Sequence, residues 1–353
     1  MLTRRTLISG GLALSAATAL AATGCSPTSS GASGSTSETL VVYSNSIADG
    51  RGAWLADQAK AAGFNLQFVD LGGGDVMNRL IQEKNNPVAD VTFGLNNVFF
   101  EKIKAAGALQ DYKPAWADKV DAGLGDGAQF WPIVREPIML VYNLGTYPGG
   151  TGAPADWPDL WNKAEFHGKY ETPTGLGGAT TQMVVSGILS RFRDANGTLG
   201  ISAEGWKNIG DYFKNGSPAV KGEDLYARMK AGKVNAGQMW LAGKVTREKQ
   251  YDIKTDAAHP TVGVPMVVQQ VALVKGTKKA DTAKKFIDWF GAADLQGKWS
   301  EQFKTAPTNK DAKGDADAVK MTDSFTRQDI DWTFVANSID KWVEKIELEY
   351  LGK

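Results

Sequence analysis

From residue 39 onward, short apolar runs alternate with helical stripes. Leu40-Val41-Val42-Tyr43 is an apolar run that gives way to Ser44-Asn45-Ser46, the pattern of a strand with a polar exit. A helical stretch follows to about Ala62, and Gly63 stops it. Leu66 and Phe68 alternate with polar neighbours and predict a second strand. Leu71-Gly72-Gly73-Gly74 then leads into a helix with Met77, Leu80 and Ile81 at i, i+3, i+4, which Pro87 is expected to end. Asp90-Val91-Thr92-Phe93-Gly94 reads as the next strand. This alternation predicts an α/β fold with a parallel sheet covered by helices. Such sheets bind ligands at the carboxyl ends of their strands. Residues 132–143, PIVREPIMLVYN, are apolar and β-rich and predict a crossing between two lobes. A second α/β stretch runs to about Pro260, and residues 262–275 form another strand-rich run. A helix with Ala283, Phe286, Ile287 and Phe290 on one face follows, and residues 315–353 read as mostly helical.

The start of the chain has a different pattern. Arg4 and Arg5 precede an uncharged apolar stretch over residues 7–22. It is shorter than the roughly 20 residues a membrane span needs, and it fits a secretory signal. Ala22-Thr23-Gly24-Cys25 resembles a bacterial lipobox, which implies cleavage before Cys25 and lipidation of that cysteine. Thr3-Arg4-Arg5-Thr6-Leu7 also resembles a twin-arginine signal. Residues 26–37, SPTSSGASGSTS, cannot bury apolar surface and read as a flexible tether spanning roughly 20 Å. The expected location is outside the cytoplasm, at the cell surface or in the periplasm, held to the membrane only by a lipid.

Composition narrows the class. The 353 residues suffice for two lobes, and 42% hydrophobic with 22% charged residues is ordinary for a globular protein. Lys+Arg and Asp+Glu both number 39, and the basic residues are dispersed, so nothing argues for nucleic acid. Cys25 is the only cysteine, so no intramolecular disulfide can form.

Several segments together resemble the type II periplasmic-binding-protein superfamily, in the branch of ferric-iron, thiamine, aminoethylphosphonate and phosphosugar binders. They are LVVYSNS, GGGDVMNRLIQEKNNPVADVTFG, FFEKIKAAGALQDYKP, VREPIMLVYN, WPDLWNKAEFHGKYETPTGLGG, ALVKGTKKADTAKKFIDWF and Ala306-Pro307-Thr308-Asn309. The resemblance covers residues 39–310. It implies two α/β lobes joined by a hinge, with ligand in the cleft and closure presenting it to an ABC permease. The expected organisation is a signal peptide over 1–24 and the lipidated cysteine and linker over 25–38. The first lobe is expected over 39–142, the second over 143–261, a return to the first over 262–310, and C-terminal helices over 311–353. A monomer is expected.

Candidate ligand residues each carry two readings. Gly73 and Gly74 precede a helix, where free N–H groups suit an anion; a tight turn explains them equally. The Thr172-Pro173-Thr174-Gly175-Leu176-Gly177-Gly178-Ala179-Thr180-Thr181 stretch is the strongest local signal, and by resemblance it is the second-lobe binding loop. A capped helix start is the alternative. Ser44, Asn45, Ser46 and Asn96 follow strands, where a cleft would lie, although Ser and Asn also favour turns. Arg135 needs a partner among its apolar neighbours, either an anionic ligand or Glu136. Trp240 either stacks on ligand or packs in the core.

The chain has no G-x-S-x-G, H-E-x-x-H or G-K-[ST] motif, which weighs against an enzyme, and no cofactor is expected. By resemblance, iron binders need adjacent tyrosines where Gln238-Met239-Trp240-Leu241 stands here. His167 and His259 have no ligand spacing, so no metal is expected. The expected function is capture of a small solute for an ABC importer, with an organic anion such as a phosphonate or phosphosugar favoured. A cationic ligand, a polyamine or thiamine, met by Asp49, Asp70 and Asp75, is the alternative. An exported lipoprotein enzyme and an adhesin or scaffold are weaker alternatives.

Overall fold

The computed structural model describes residues 38–351. The signal segment, Cys25 and the tether expected over 26–37 lie outside the described residues. The first lobe opens with β1 (Thr39–Ser44), α1 (Arg51–Ala61), β2 (Asn65–Asp70), α2 (Gly73–Gln82), β3 (Val91–Phe93), α3 (Asn97–Ala105) and β4 (Leu109–Gln110). The crossover strand β5 (Phe130–Asn143) leads into the second lobe. That lobe holds α4 (Asp159–Asn162), β6 (Glu171–Thr172), α5 (Ala179–Leu189), β7 (Arg193–Thr198), α6 (Ala203–Asn215), β8 (Ser217–Pro218), α7 (Leu225–Lys230), β9 (Ala236–Trp240), α8 (Leu241–Tyr251) and β10 (Thr255–Ala257). β11 (Met266–Val274) returns, followed by α9 (Ala280–Phe290), α10 (Ala293–Phe303), β12 (Ala306–Pro307), α11 (Ala316–Asp323) and α12 (Trp332–Glu349).

The expected parallel sheet forms where strands and helices alternate. β1 lies between β2 and β3, parallel to both, with Val42 level with Phe68 and Val91. β11 then joins antiparallel to β3. α2 departs from expectation: its buried positions are Val76 and Leu80, with Met77 only partly covered. It ends at Gln82 rather than at Pro87, because Asn85 and Asn86 already favour a turn.

β5 changes partners along its length. Up to Pro137 it pairs antiparallel with β11, with β12 alongside. From Ile138 it pairs with β9, and its last three residues also pair with β10. The handover between lobes therefore falls inside the strand, between Pro137 and Ile138, rather than at its end. Every β5 residue is buried except Arg135 and Asn143, as expected for a strand covered on both faces.

Each lobe has its own core. Leu40, Val42, Phe93 and Trp299 pack in the first with Ala283, Phe286, Ile287 and Phe290, the α9 stripe read from the sequence. In the second, Leu140, Tyr170, Ile188 and Tyr212 meet Val335, Ile339, Trp342 and Ile346 of α12. Those four recur at i, i+4, i+7, i+11, one face of a helix. Asp331 caps α12, its Oδ1 accepting from the Phe334 N–H at 2.9 Å. Burying each large apolar side chain contributes about 1.5–3 kcal/mol, so the last helix of the chain is a major part of the second lobe. α12 also reaches the first lobe: Val98 of α3 joins the same core, and Lys102 Nζ lies 2.5 Å from Asp340 Oδ1.

Candidate functional site

A cavity of about 250 Å³ opens where the lobes face each other. The exits of β1 and β3, the start of α1, both crossing strands, the start of α5 and the end of β9 all contribute to it. Backbone sterics bring these pieces together. Gly94 follows β3 with φ +93°, and a Cβ there would lie 2.5 Å from Ser46 Cβ, so only glycine lets the two strand exits touch. Asp49 and Gly50 are both left-handed, at φ 54° and 82°. This turn starts α1 with Arg51 at the cavity wall. A left-handed aspartate is strained, a feature that clusters at ligand sites.

Several polar groups at the cavity lack partners among the described residues. Asn96 caps α3, its Oδ1 accepting from the Phe99 N–H at 3.1 Å, which leaves its buried Nδ2 unbonded. Asn45 Oδ1 and Arg51 Nε are also buried without a hydrogen-bond partner. Arg51 forms no ion pair among the described residues; its guanidinium lies 5.5 Å from the Phe303 ring centre. An unfilled buried donor or acceptor is costly. Three of them around one cavity are what a polar ligand would satisfy.

A hydrogen-bonded chain crosses the floor of the cleft. Ser46 Oγ donates to Gln269 Oε1 at 2.9 Å, and Gln269 Nε2 donates to Glu136 Oε2 at 3.3 Å. The Ala242 N–H, at the start of α8, donates to Glu136 Oε1 at 3.3 Å. The chain joins the β1 exit, both crossing strands and the second lobe. Burial pushes the Glu136 carboxyl above the usual glutamate range, with Arg51, the Ala242 N–H and Gln269 opposing.

The structure gathers only some of the residues singled out from the sequence. Asn45, Ser46, Asn96, Thr180 and Trp240 line the cavity. Trp240 also packs against two second-lobe clusters, so it lines the cavity and joins the core packing at once. Ser44 lies behind the lining, its Oγ accepting from the Ser46 N–H at 3.0 Å. Gly73 backs the lining: a Cβ there would come within 2.6 Å of Phe99 and 3.0 Å of Asn45 Nδ2. Gly74 and Gly177 have open space around them, and Gly178 is the N-cap residue before Ala179. Thr174 sits at a different cavity, of about 290 Å³, beside Phe213 and Tyr350.

Arg135 does not line the cleft. Its Nη2 lies 2.6 Å from Asp323 Oδ1, at the C-terminal end of α11. Successive strand residues face opposite ways, so Glu136 lines the cavity instead. Sequence reasoning missed Arg51, Glu136 as a lining residue, and Gln269. Asp49 does line the cavity, whereas Asp70 and Asp75 are not among its lining residues. His167 Nε2 lies 3.0 Å from the Trp161 carbonyl, and His259 stacks on Phe325. Among the described residues no group of three or more His, Cys, Asp or Glu could hold a metal ion.

A two-lobed α/β protein with a polar cleft between its lobes has the build of a solute-binding protein. Residues 86–337 match the family of bacterial extracellular solute-binding proteins, and the chain belongs to that family. It is 35% identical over 321 residues to the "Probable ABC transporter periplasmic-binding protein y4fP" of Sinorhizobium fredii, covering 88% of this chain and 86% of that one. It is 26% identical over 288 residues to the "Putative 2-aminoethylphosphonate-binding periplasmic protein" of Salmonella typhimurium, covering 77% and 79%. The fold matches that of the periplasmic binding protein AfuA from Actinobacillus pleuropneumoniae, solved with fructose-6-phosphate bound. Here the TM-score is 0.71 at 19% identity, covering 88% of this chain and 100% of that one. The chain is thus the substrate-binding component of an ABC importer, an extracytoplasmic protein that hands a small solute to a permease. No helix among the described residues is long and apolar enough to cross a membrane.

Proposed function

We propose that the solute is a small organic anion, such as a phosphonate or a phosphosugar, bound in the cleft without chemical change. The observation that carries this reading is Arg51, a cation at the cavity wall with a buried Nε that no group among the described residues accepts from. Asn96 Nδ2 and Thr180 supply further donors from opposite lobes. The names of the Salmonella relative and of the AfuA complex point to the same chemistry. Binding stabilises a closed form, because only that form brings both lobes onto the solute. A thermal-shift panel of phosphonates, phosphosugars, carboxylates, polyamines and thiamine tests the reading. Anions are expected to raise the melting temperature by mass action, and a shift with polyamines or thiamine alone would overturn the anion assignment.

Cys25 anchors the protein in this reading, lipidated after signal cleavage, with the Ser/Gly/Thr-rich segment as tether. Cys25→Ala is expected to release a folded protein from the membrane. Retention of that variant after a salt wash would refute the lipid anchor.

A further inference from the structure

Arg51 and Glu136, of opposite charge, face the same cavity without pairing, and the exposed Asp49 lines it as well. Glu136 is 4% exposed and lies on the crossing strand β5. Its oxygens accept two long bonds, from the Ala242 N–H and Gln269 Nε2, both at 3.3 Å. An ionised carboxylate offers about four acceptor positions, so half of its capacity is unfilled. Among the described residues it forms no ion pair, and a buried carboxylate without a cation is strongly disfavoured. Arg51 is its counterpart, a cation with no carboxylate partner and a free Nε. The two sense each other's charge, since Arg51 counters the burial effect on Glu136. They form no ion pair with each other, and both line the cavity of about 250 Å³.

Neither a simple anion nor a simple cation resolves this arrangement. An anion on Arg51 brings a second negative charge into the field of Glu136. A cation on Glu136 does the reverse to Arg51. A solute that carries both charges satisfies both groups and adds no net charge to the cleft. The cavity is smaller than the roughly 300–1,000 Å³ of sites for drug-sized ligands, so the two charges of the solute must sit on a short skeleton.

The geometry points to a zwitterionic solute, its phosphonate, phosphate or carboxylate on Arg51 and its protonated amine against Glu136, with the Trp240 indole as the adjoining wall. This assignment rests on the anion reading above and adds a second pole to it. Gln269 fixes the orientation of the Glu136 carboxylate by holding it with one end of its amide and Ser46 with the other.

Matched probe pairs separate the two claims. Titration calorimetry on the wild-type protein would compare ethylphosphonate with 2-aminoethylphosphonate, ethyl phosphate with phosphoethanolamine, and propionate with β-alanine. In at least one pair the aminated member is expected to bind about tenfold tighter or more, the effect of one charge-assisted bond. In Glu136→Gln that ratio is expected to fall to about twofold or less, with the amine-free member binding no more weakly than before. If an amine-free anion binds as tightly as its aminated mate, the zwitterion assignment falls and the anion reading stands. If no member of any pair binds, the zwitterion assignment falls, and the thermal-shift panel with its phosphosugars decides the anion reading separately. Should Glu136→Gln not fold, the wild-type ratios decide alone.

Discussion

Replacing Arg51 by glutamine is the most direct test of the cleft. In the unliganded protein the change removes little. Arg51 forms no ion pair among the described residues, and its one aromatic contact, with Phe303 at 5.5 Å, is worth on the order of 0.5–1 kcal/mol. The bound state loses a charge-assisted hydrogen bond of about 1.5–3 kcal/mol. Affinity for an anionic solute should therefore fall roughly 10- to 150-fold, with unfolding free energy nearly unchanged. Arg135→Gln is the paired control. Arg135 pairs with Asp323 at 2.6 Å, and the two side chains are 28% and 52% exposed. Such pairs contribute about 0–1 kcal/mol, so this variant should lose a little stability and bind as the wild type does. Titration calorimetry and urea denaturation on the same samples read both quantities. The reasoning is refuted if Arg51→Gln binds like the wild type, or if Arg135→Gln weakens binding as much.

Gly94→Ala should destabilise the protein by roughly 1–2 kcal/mol from its left-handed φ alone, and should weaken solute binding by displacing Ser46, both measurable by denaturation and calorimetry. Trp342→Ala empties a fully buried site and strands the Leu199 carbonyl that its Nε1 bonds at 3.1 Å; a loss of about 3–5 kcal/mol is expected, and a loss below about 1 kcal/mol would argue that α12 is peripheral. Burial raises the Glu136 pKa in the folded, unliganded protein, so its contribution to stability is full below the ordinary glutamate range and is lost as pH rises through the folded value. The stability difference between wild type and Glu136→Gln should narrow or reverse over that window; parallel pH curves would show that Glu136 does not titrate differently on folding.

Much of the scaffold could be read from periodicity. The β1 run, the α9 stripe and the crossover at residues 132–143 each carry a pattern tied to one kind of burial. The strand exits were legible too, because Asn45, Ser46 and Asn96 are small polar residues placed where apolar runs stop. What failed was parity on β5. That strand is covered on both faces, so its sequence has no in–out alternation to reveal which of Arg135 and Glu136 meets the cleft. Arg51 was missed for another reason. At the first turn of a helix an arginine reads as surface, and only the Asp49-Gly50 turn places it at the cavity. Thr174 was misplaced because the loop signal extends over several residues, whereas only its last part, at Thr180, reaches the cleft.

The second lobe's core closes on α12, which follows the return of the chain through the first lobe. During synthesis Tyr170, Ile188 and Tyr212 emerge long before Ile339, Trp342 and Ile346, and until those arrive the lobe has an open apolar face. That core cannot be completed until the ribosome has made α12. A chain cut short before α12 leaves that apolar face exposed, which opens the product to proteolysis.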